Sequence, residues 1–213
     1  MAKELRDSKI QKSKFEMDMC SGSILKKMLL FSVPLILSSV LQLLFNTADV
    51  IVVGQYAGEN SLSAVGSTGA LINLITNLFM GLSVGTNVIV ARCFSAKQTK
   101  DIHEAVHTSI AISIIGGIIL TIIGVFLAPK MLIWMNTPAE VLDLAALYVR
   151  IYFAGITASL LYNFGSAILR AIGDTRRPLI FLFIAGVVNV ILNLFFVVVL
   201  DLDVAGVALF EEA

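Results

Sequence analysis

The chain has 213 residues, of which 58% are hydrophobic and 14% are charged, and its 15 basic residues balance its 15 acidic ones. Soluble domains carry about 45–50% apolar and about 25% charged residues, so the composition argues against a soluble protein and favours a membrane protein. A net charge of zero gives no indication of nucleic-acid binding. Cys20 and Cys93 lie far apart in the sequence and are expected to be unpaired thiols.

Five long apolar stretches follow a polar beginning. Residues 1–27 are polar over too great a length for a signal peptide, and we expect them to form a cytoplasmic segment. A hydrocarbon core about 30 Å thick requires about 20 apolar residues in a helix. We therefore expect an all-α fold, a polytopic bundle of transmembrane helices that occupies residues 28–200. The expected spans are Met28–Val53, Leu62–Ala91, Val106–Ala128, Val141–Ala171 and Pro178–Leu200.

Local signals support these bounds. The segment 137–140 reads Thr-Pro-Ala-Glu, which predicts an N-cap, a proline at the first helical position and a capping glutamate for the fourth helix. Pro178 is expected to open the fifth helix. Gly81 and Gly85 form a GxxxG pair that permits close contact between helices. Residues 201–213 are expected to be an outer loop that enters a further apolar stretch.

The placement of Lys and Arg predicts the orientation in the membrane. Thirteen of the 15 basic residues fall in the N-terminal segment and in the second-to-third and fourth-to-fifth connections, which are on one side if all five stretches span. Cytoplasmic loops carry an excess of Lys and Arg, so this side, with the N-terminus, is expected to be cytoplasmic. Lys130 and Arg150 fall toward the opposite side.

Polar side chains within the spans are the candidates for function, because such groups tend to face the protein interior or water. In the first helix Gln42, Asn46 and Asp49 are spaced at i, i+4 and i+7, which places them on one face. Asp49 is the principal candidate because it is the lone acid in that stretch. The alternative is that Asp49 lies at the outer interface and only solvates the end of the helix.

Pairs of amides recur in two other helices. Asn73 and Asn77 share one face of the second helix, and Asn189 and Asn193 share one face of the fifth. Amide oxygens can bind Na⁺, and the amide NH₂ group can donate to a carboxylate. The sequence leaves open whether these amides line a cavity and an ion site or only form hydrogen bonds between helices.

The fourth helix contributes Tyr162 and Asn163 as further cavity-lining candidates, with packing between helices as the favoured interpretation of both. Arg150 is expected to extend toward the outer interface. His103 and His107 share a face at the start of the third helix, but a metal site needs a third ligand, so none is expected there. No catalytic triad, carboxylate pair or phosphate-binding loop indicates an enzyme.

Several segments, in order along residues 24–209, resemble the MATE (multidrug and toxic compound extrusion) family of efflux transporters. The segments at 44–49 (Leu-Phe-Asn-Thr-Ala-Asp), with Pro34 before them, and at 62–66 (Leu-Ser-Ala-Val-Gly) are similar to the first helix and the start of the second. Residues 169–178 (Leu-Arg-Ala-Ile-Gly-Asp-Thr-Arg-Arg-Pro) are the most specific match, to the cytoplasmic motif between helices four and five.

The resemblance implies twelve helices in two six-helix lobes, of which this chain would supply five helices of the N-terminal lobe. It implies an antiporter in the plasma membrane that exports drugs or other small organic compounds, such as organic cations, in exchange for Na⁺ or H⁺, with no other cofactor. By resemblance, Asp49 and Asn189 take part in cation coupling, together with Asn193. Some members carry an aspartate at the position of Asn193, and asparagine cannot exchange a proton.

Two alternatives remain at this point. A related fold flips lipid-linked precursors and lines its cavity with basic residues, of which the spans here offer only Arg150. The other alternative is an inert membrane fragment, because a C-terminal lobe is missing from the sequence and five helices would leave polar groups unsatisfied in lipid.

Overall fold

A computed structural model describes residues 23–52, 54–55 and 58–195, without the side chains at 24, 49, 58–62, 65, 193 and 194. The expectations for residues 1–22 and 196–213 lie outside this part. Within it, every regular element is a helix, which confirms the all-α fold. The helices are α1 (Ile24–Val52), α2 (Gly58–Ser95), α3 (Thr99–Trp134), α4 (Leu142–Ala171) and α5 (Arg176–Leu194).

Four of the described helices contain segments long and apolar enough to cross a membrane, and α5 is described over 19 residues. The third helix differs most from expectation, because its 36 residues extend beyond both ends of the expected span Val106–Ala128. A helix of that length measures about 54 Å, whereas a bilayer with its headgroups is about 40–45 Å thick. Hydropathy detects only the part of a helix that lies in lipid, whereas the backbone hydrogen bonds of the helix continue into the polar residues on either side.

Three helices end in the same hydrogen-bonded turn, the Schellman motif. Lys97, Asn136 and Gly173 have φ angles of 57°, 56° and 91° just beyond α2, α3 and α4. At the end of α3, the N–H of Asn136 donates to the carbonyl of Ile133 and the N–H of Thr137 donates to the carbonyl of Leu132. The left-handed residue turns the chain while these bonds satisfy carbonyls at the end of the helix.

The expected fourth span, Val141–Ala171, agrees with α4 within one residue, but the capping motif predicted at residues 137–140 is wrong. Helix α4 begins at Leu142, its N-cap is Val141, and no side chain caps it. The N–H of Thr137 belongs to the end of α3, and the N–H of Val141 donates to the carbonyl of Pro138 in a separate turn. Residues 137–140 therefore connect two helices. Pro178 lies in the first turn of α5, two residues after the helix begins.

The core lies where α2, α3 and α4 pack together. Small residues on α3 form the face toward α4, and they permit close approach of the two backbones. A Cβ atom added to Gly117 would lie 2.8 Å from the Cα atom of Thr157, and one added to Gly124 would overlap the side chain of Phe153. The buried residues of α3 are Ser109, Ser113, Gly117, Gly124, Ala128 and Leu132.

Helix α1 packs mainly against α5, beside this core. Gly186 of α5 lies against the ring of Phe45 of α1, and any Cβ at that position would overlap the ring. The Tyr162 hydroxyl of α4 donates to the carbonyl of Pro178 at 3.1 Å and ties the α1–α5 pair to the core. The predicted close contact at Gly81 and Gly85 is wrong for the described residues, since no atom lies within 4 Å of a Cβ added there.

Candidate functional site

The expected cation-coupling positions lie on the two helices that meet in the α1–α5 contact. Phe45 meets Gly186 at the centre of this contact, and Asn189 is buried one helical turn further along α5, with 8% of its surface exposed. Asp49 follows Phe45 by four residues within the helical part of α1. The side chains of Asp49 and Asn193 lie outside the described part of the structure. The contact thus joins the two helices that carry these positions, while a shared site and a role in coupling stay predictions.

The other polar residues of α1 do not join this contact. Gln42 and Asn46 are exposed on the surface of the described chain. Neither side chain has a hydrogen bond to another described residue. They are free to face a cavity, and cavity lining stays a prediction for both.

The α2 amides behave similarly. Asn73 and Asn77 are exposed, and the side-chain NH₂ group of Asn77 donates to the backbone carbonyl of Asn73 at 2.7 Å. The bond lies within one helix, so the alternative of hydrogen bonding between helices is not what the structure shows for this pair. Nearby, the Thr76 and Tyr152 hydroxyls lie 3.4 Å apart and join α2 to α4.

The two candidates of α4 have different surroundings. Tyr162 is half-buried and its hydroxyl donates to α5, so it connects helices, which the sequence favoured. Asn163 is half-buried, and its NH₂ group donates to the carbonyl of Ser159 within α4 at 2.9 Å. Neither residue lies in the α1–α5 contact.

Sequence reasoning missed the partner of Arg150. Pro129 lies inside α3 and lacks the N–H group that would bond to the carbonyl of Val125, four residues earlier. The Nε atom of Arg150 on α4 donates to this carbonyl at 3.2 Å. Arg150 therefore supports the proline site of the neighbouring helix, and because its side chain is exposed, extension toward the outer interface stays a prediction. The signal available in the sequence was the proline itself, but nothing indicated which helix would face it.

Further polar side chains connect the core helices. The Ser109 hydroxyl donates to Thr86 Oγ1 at 3.1 Å, and the Thr121 hydroxyl donates to the carbonyl of Phe153 at 2.7 Å. The NH₂ group of Asn87 donates to the carbonyl of Ala167 at 2.8 Å. Hydrogen bonds of this kind between transmembrane helices contribute about 0.6 kcal/mol on average. These residues hold the core together and leave the α1–α5 contact as the candidate functional site.

The ring centroids of His103 and His107 lie 6.3 Å apart at the start of α3, and both side chains are exposed. Across residues 23–52, 54–55 and 58–195, no group of three or more His, Cys, Asp or Glu side chains is placed to hold a metal ion. The two imidazoles are thus a surface pair at the end of the helix.

Residues 34–195 match the family model MatE, which covers most of the chain. The chain belongs to the MATE family. It is 30% identical over 191 residues to YpnP, a probable multidrug resistance protein of Bacillus subtilis (strain 168), covering 90% of this chain and 43% of that protein. A second probable multidrug resistance protein of the same strain, YoeA, is 30% identical over 170 residues, covering 80% of this chain and 37% of that protein.

Solved structures agree with this assignment. A crystal structure of a MATE protein in complex with MaD3S superposes with a TM-score of 0.82 at 29% identity, covering 88% of this chain and 42% of that one. The chain thus spans about two fifths of the length of the relatives it matches. Its MATE membership and its membrane-spanning helices make it a multi-pass membrane protein of a multidrug efflux family.

Proposed function

We propose that this chain supplies α1–α5 of the N-terminal lobe of an antiporter that exports drugs or small organic cations in exchange for Na⁺ or H⁺. The packing of α1 on α5 at Phe45 and Gly186 carries the proposal, because it joins the helix that holds Asp49 to the helix that holds Asn189. Membership of a multidrug efflux family supports it. The N-terminus is proposed to be on the cytoplasmic side of the plasma membrane, as the basic residues indicate.

The register of the two helices supports a shared site. Successive membrane spans alternate in direction, so α1 and α5 run parallel if every helix crosses. Position 49 lies about 6 Å along α1 from Phe45, and Asn189 lies about 4.5 Å along α5 from Gly186. The two positions are therefore at nearly the same depth. A buried acid in hydrocarbon is costly unless it is neutralised or paired, and an adjacent amide oxygen completes a ligand set for a small cation.

In this mechanism, binding of Na⁺ or H⁺ neutralises Asp49 and changes the balance between two packed arrangements of α1. Pro34 lies inside α1 and removes one backbone hydrogen bond, so it provides a position at which the helix can bend. Asn193 would offer an amide oxygen as a ligand one helical turn beyond Asn189, without exchanging a proton itself. Gln42, Asn46, Asn73 and Asn77 are the proposed cavity-lining residues.

The flippase alternative is not favoured. It needs basic residues that face the cavity, and the candidate within the spans, Arg150, donates to the carbonyl of Val125 on the neighbouring helix. That contact lies between α3 and α4, away from the α1–α5 contact.

The test imposes Na⁺ and H⁺ gradients separately on proteoliposomes that hold either this chain or a version extended to the length of its relatives. The extended version is expected to export ethidium under one of the gradients, and Asp49→Asn is expected to abolish export. Asp143→Asn is the matched control, because Asp143 is exposed in the first turn of α4. Undiminished gradient-driven export by the Asp49 variant would remove Asp49 from the mechanism, and export that ignores both gradients would overturn antiport.

A further inference from the structure

Three arginines and one acid surround the connection between α4 and α5. The carboxylate of Asp174 is fully buried, and its Oδ1 atom accepts the backbone N–H groups of Arg176 and Arg177, each at 3.1 Å. Its Oδ2 atom lies 3.1 Å from Nε of Arg177. This one carboxylate therefore caps α5 and pairs with Arg177. The guanidinium groups of Arg170 and Arg176 have no ion pair with any described residue.

Arg170 is unusual because it is both half-buried and without a partner. Its Nε atom is buried and has no hydrogen-bond acceptor in the described part of the chain. The Oδ2 atom of Asp174 is also buried without a hydrogen bond there, and its contact with Arg177 is an ion pair. A buried donor left unsatisfied costs about 1–3 kcal/mol, and more when it is charged. Such a group calls for an acceptor that the described residues do not supply, such as a water, an ion or a lipid headgroup. Arg176 is six residues further along the chain, and its side chain is exposed.

The location of this corner points to the chemistry of the acceptor. The end of α2 and the start of α3 reach the same end of the bundle and add Arg92, Lys97 and Lys100. The proposed orientation places this corner at the cytoplasmic surface of the membrane, where anionic lipids concentrate and each nearby Lys or Arg strengthens their binding. A planar guanidinium group binds phosphate through two parallel hydrogen bonds.

We propose that Arg170 and Arg176 form a binding site for a phosphate group, supplied by the headgroup of an anionic phospholipid. The site lies at the corner between α4 and α5 and is independent of the coupling ion. The headgroup phosphate binds the guanidinium group of Arg170, whose Nε atom has no acceptor among the described residues, while Arg176 closes the site from the solvent side. Free phosphate offers the same oxygens but lacks the bilayer that holds a headgroup at this depth.

The experiment uses the 213-residue chain in a neutral detergent, titrated with dioctanoyl phosphatidylglycerol, dioctanoyl phosphatidylcholine or inorganic phosphate. Native mass spectrometry counts bound molecules and circular dichroism follows thermal unfolding. Phosphatidylglycerol is expected to bind and to raise the melting temperature, and salt should weaken both effects. Arg170→Gln and Arg176→Gln are each expected to weaken binding about tenfold, the effect of one lost charged contact.

Lys130→Gln is the matched control, because Lys130 is an exposed basic residue near the end of α3, at the opposite end of the bundle. It should keep the wild-type affinity within about twofold. Equal weakening by all three variants would show that only total charge matters and would overturn the proposal, as would equal binding of phosphatidylcholine. Inorganic phosphate that binds as tightly as phosphatidylglycerol would overturn the lipid as the source. If Arg170→Gln fails to fold, Arg176→Gln still decides the outcome, because its side chain is exposed.

Discussion

The contact between Arg150 and the proline site of α3 can be tested with a double-mutant cycle. Arg150→Met removes the donor to the Val125 carbonyl but keeps most of the apolar stem. Arg150 lies about 12 Å along α4 from its first residue, and Val125 lies about 13.5 Å before the end of α3. If these helix ends lie at the outer surface of the headgroup layer, which is about 5–7 Å thick, both groups lie about 5–8 Å inside the hydrocarbon core. Water is scarce there, and an unsatisfied carbonyl is costly.

The expected cost of Arg150→Met is about 1.5–3 kcal/mol, the range for a hydrogen bond from a charged donor. In a Pro129→Ala background, the restored N–H of residue 129 can bond to the Val125 carbonyl, so the same substitution should cost less than about 0.5 kcal/mol. The difference gives a coupling energy of about 1–2.5 kcal/mol, within the usual range for residues that share a partner.

The measurement is reversible unfolding of the four proteins of the cycle in mixed micelles with increasing sodium dodecyl sulfate. Lys130→Met serves as the control, because it removes an exposed positive charge next to Pro129 that has no hydrogen bond or ion pair with described residues. It should change the unfolding free energy by less than about 0.5 kcal/mol. An equal cost of Arg150→Met with and without Pro129 would refute the proposed link between the arginine and the proline.

Three further predictions concern stability and are measured by thermal unfolding in detergent. Gly117→Ala should lower the free energy of unfolding by about 1–3 kcal/mol, because its Cβ would meet the α4 backbone. Gly81→Ala faces open space and should be neutral or stabilising. Equal effects of the two substitutions would contradict the α3–α4 packing. Asp174→Ala should lower the free energy of unfolding by about 2 kcal/mol, because it removes the α5 cap and the ion pair with Arg177. Asp101 is exposed at the start of α3, and Asp101→Ala should cost far less. The reverse order would refute the capping role of Asp174. Gly173→Ala, at φ 91°, should cost about 1–2 kcal/mol, and a stabilising effect would exclude the left-handed turn.

Packing between helices shows where sequence interpretation stops. Gly81 and Gly85 carry the spacing associated with close helix contact, yet both face open space in the described chain. Gly117 and Gly124 are not a GxxxG pair, although each lies four residues from another small residue, Ser113 or Ala128, and the α4 helix packs directly on them. A glycine indicates that close approach of another helix is possible, but whether a helix packs against it depends on the rotation of each helix about its axis. That rotation follows from how all the faces fit together.

Composition and hydropathy were enough to establish the membrane class and the helical fold, because transfer of apolar side chains into lipid depends on composition within each segment. The ordered family motifs determined the MATE membership on similarly local information. Three features became visible only in the folded chain. Helix α1 packs on α5, Arg150 donates to the carbonyl that Pro129 of α3 leaves unbonded, and Arg170 Nε has no acceptor among the described residues. Each of these depends on atoms from distant parts of the chain meeting within a few ångströms, which the order of residues along one helix does not specify.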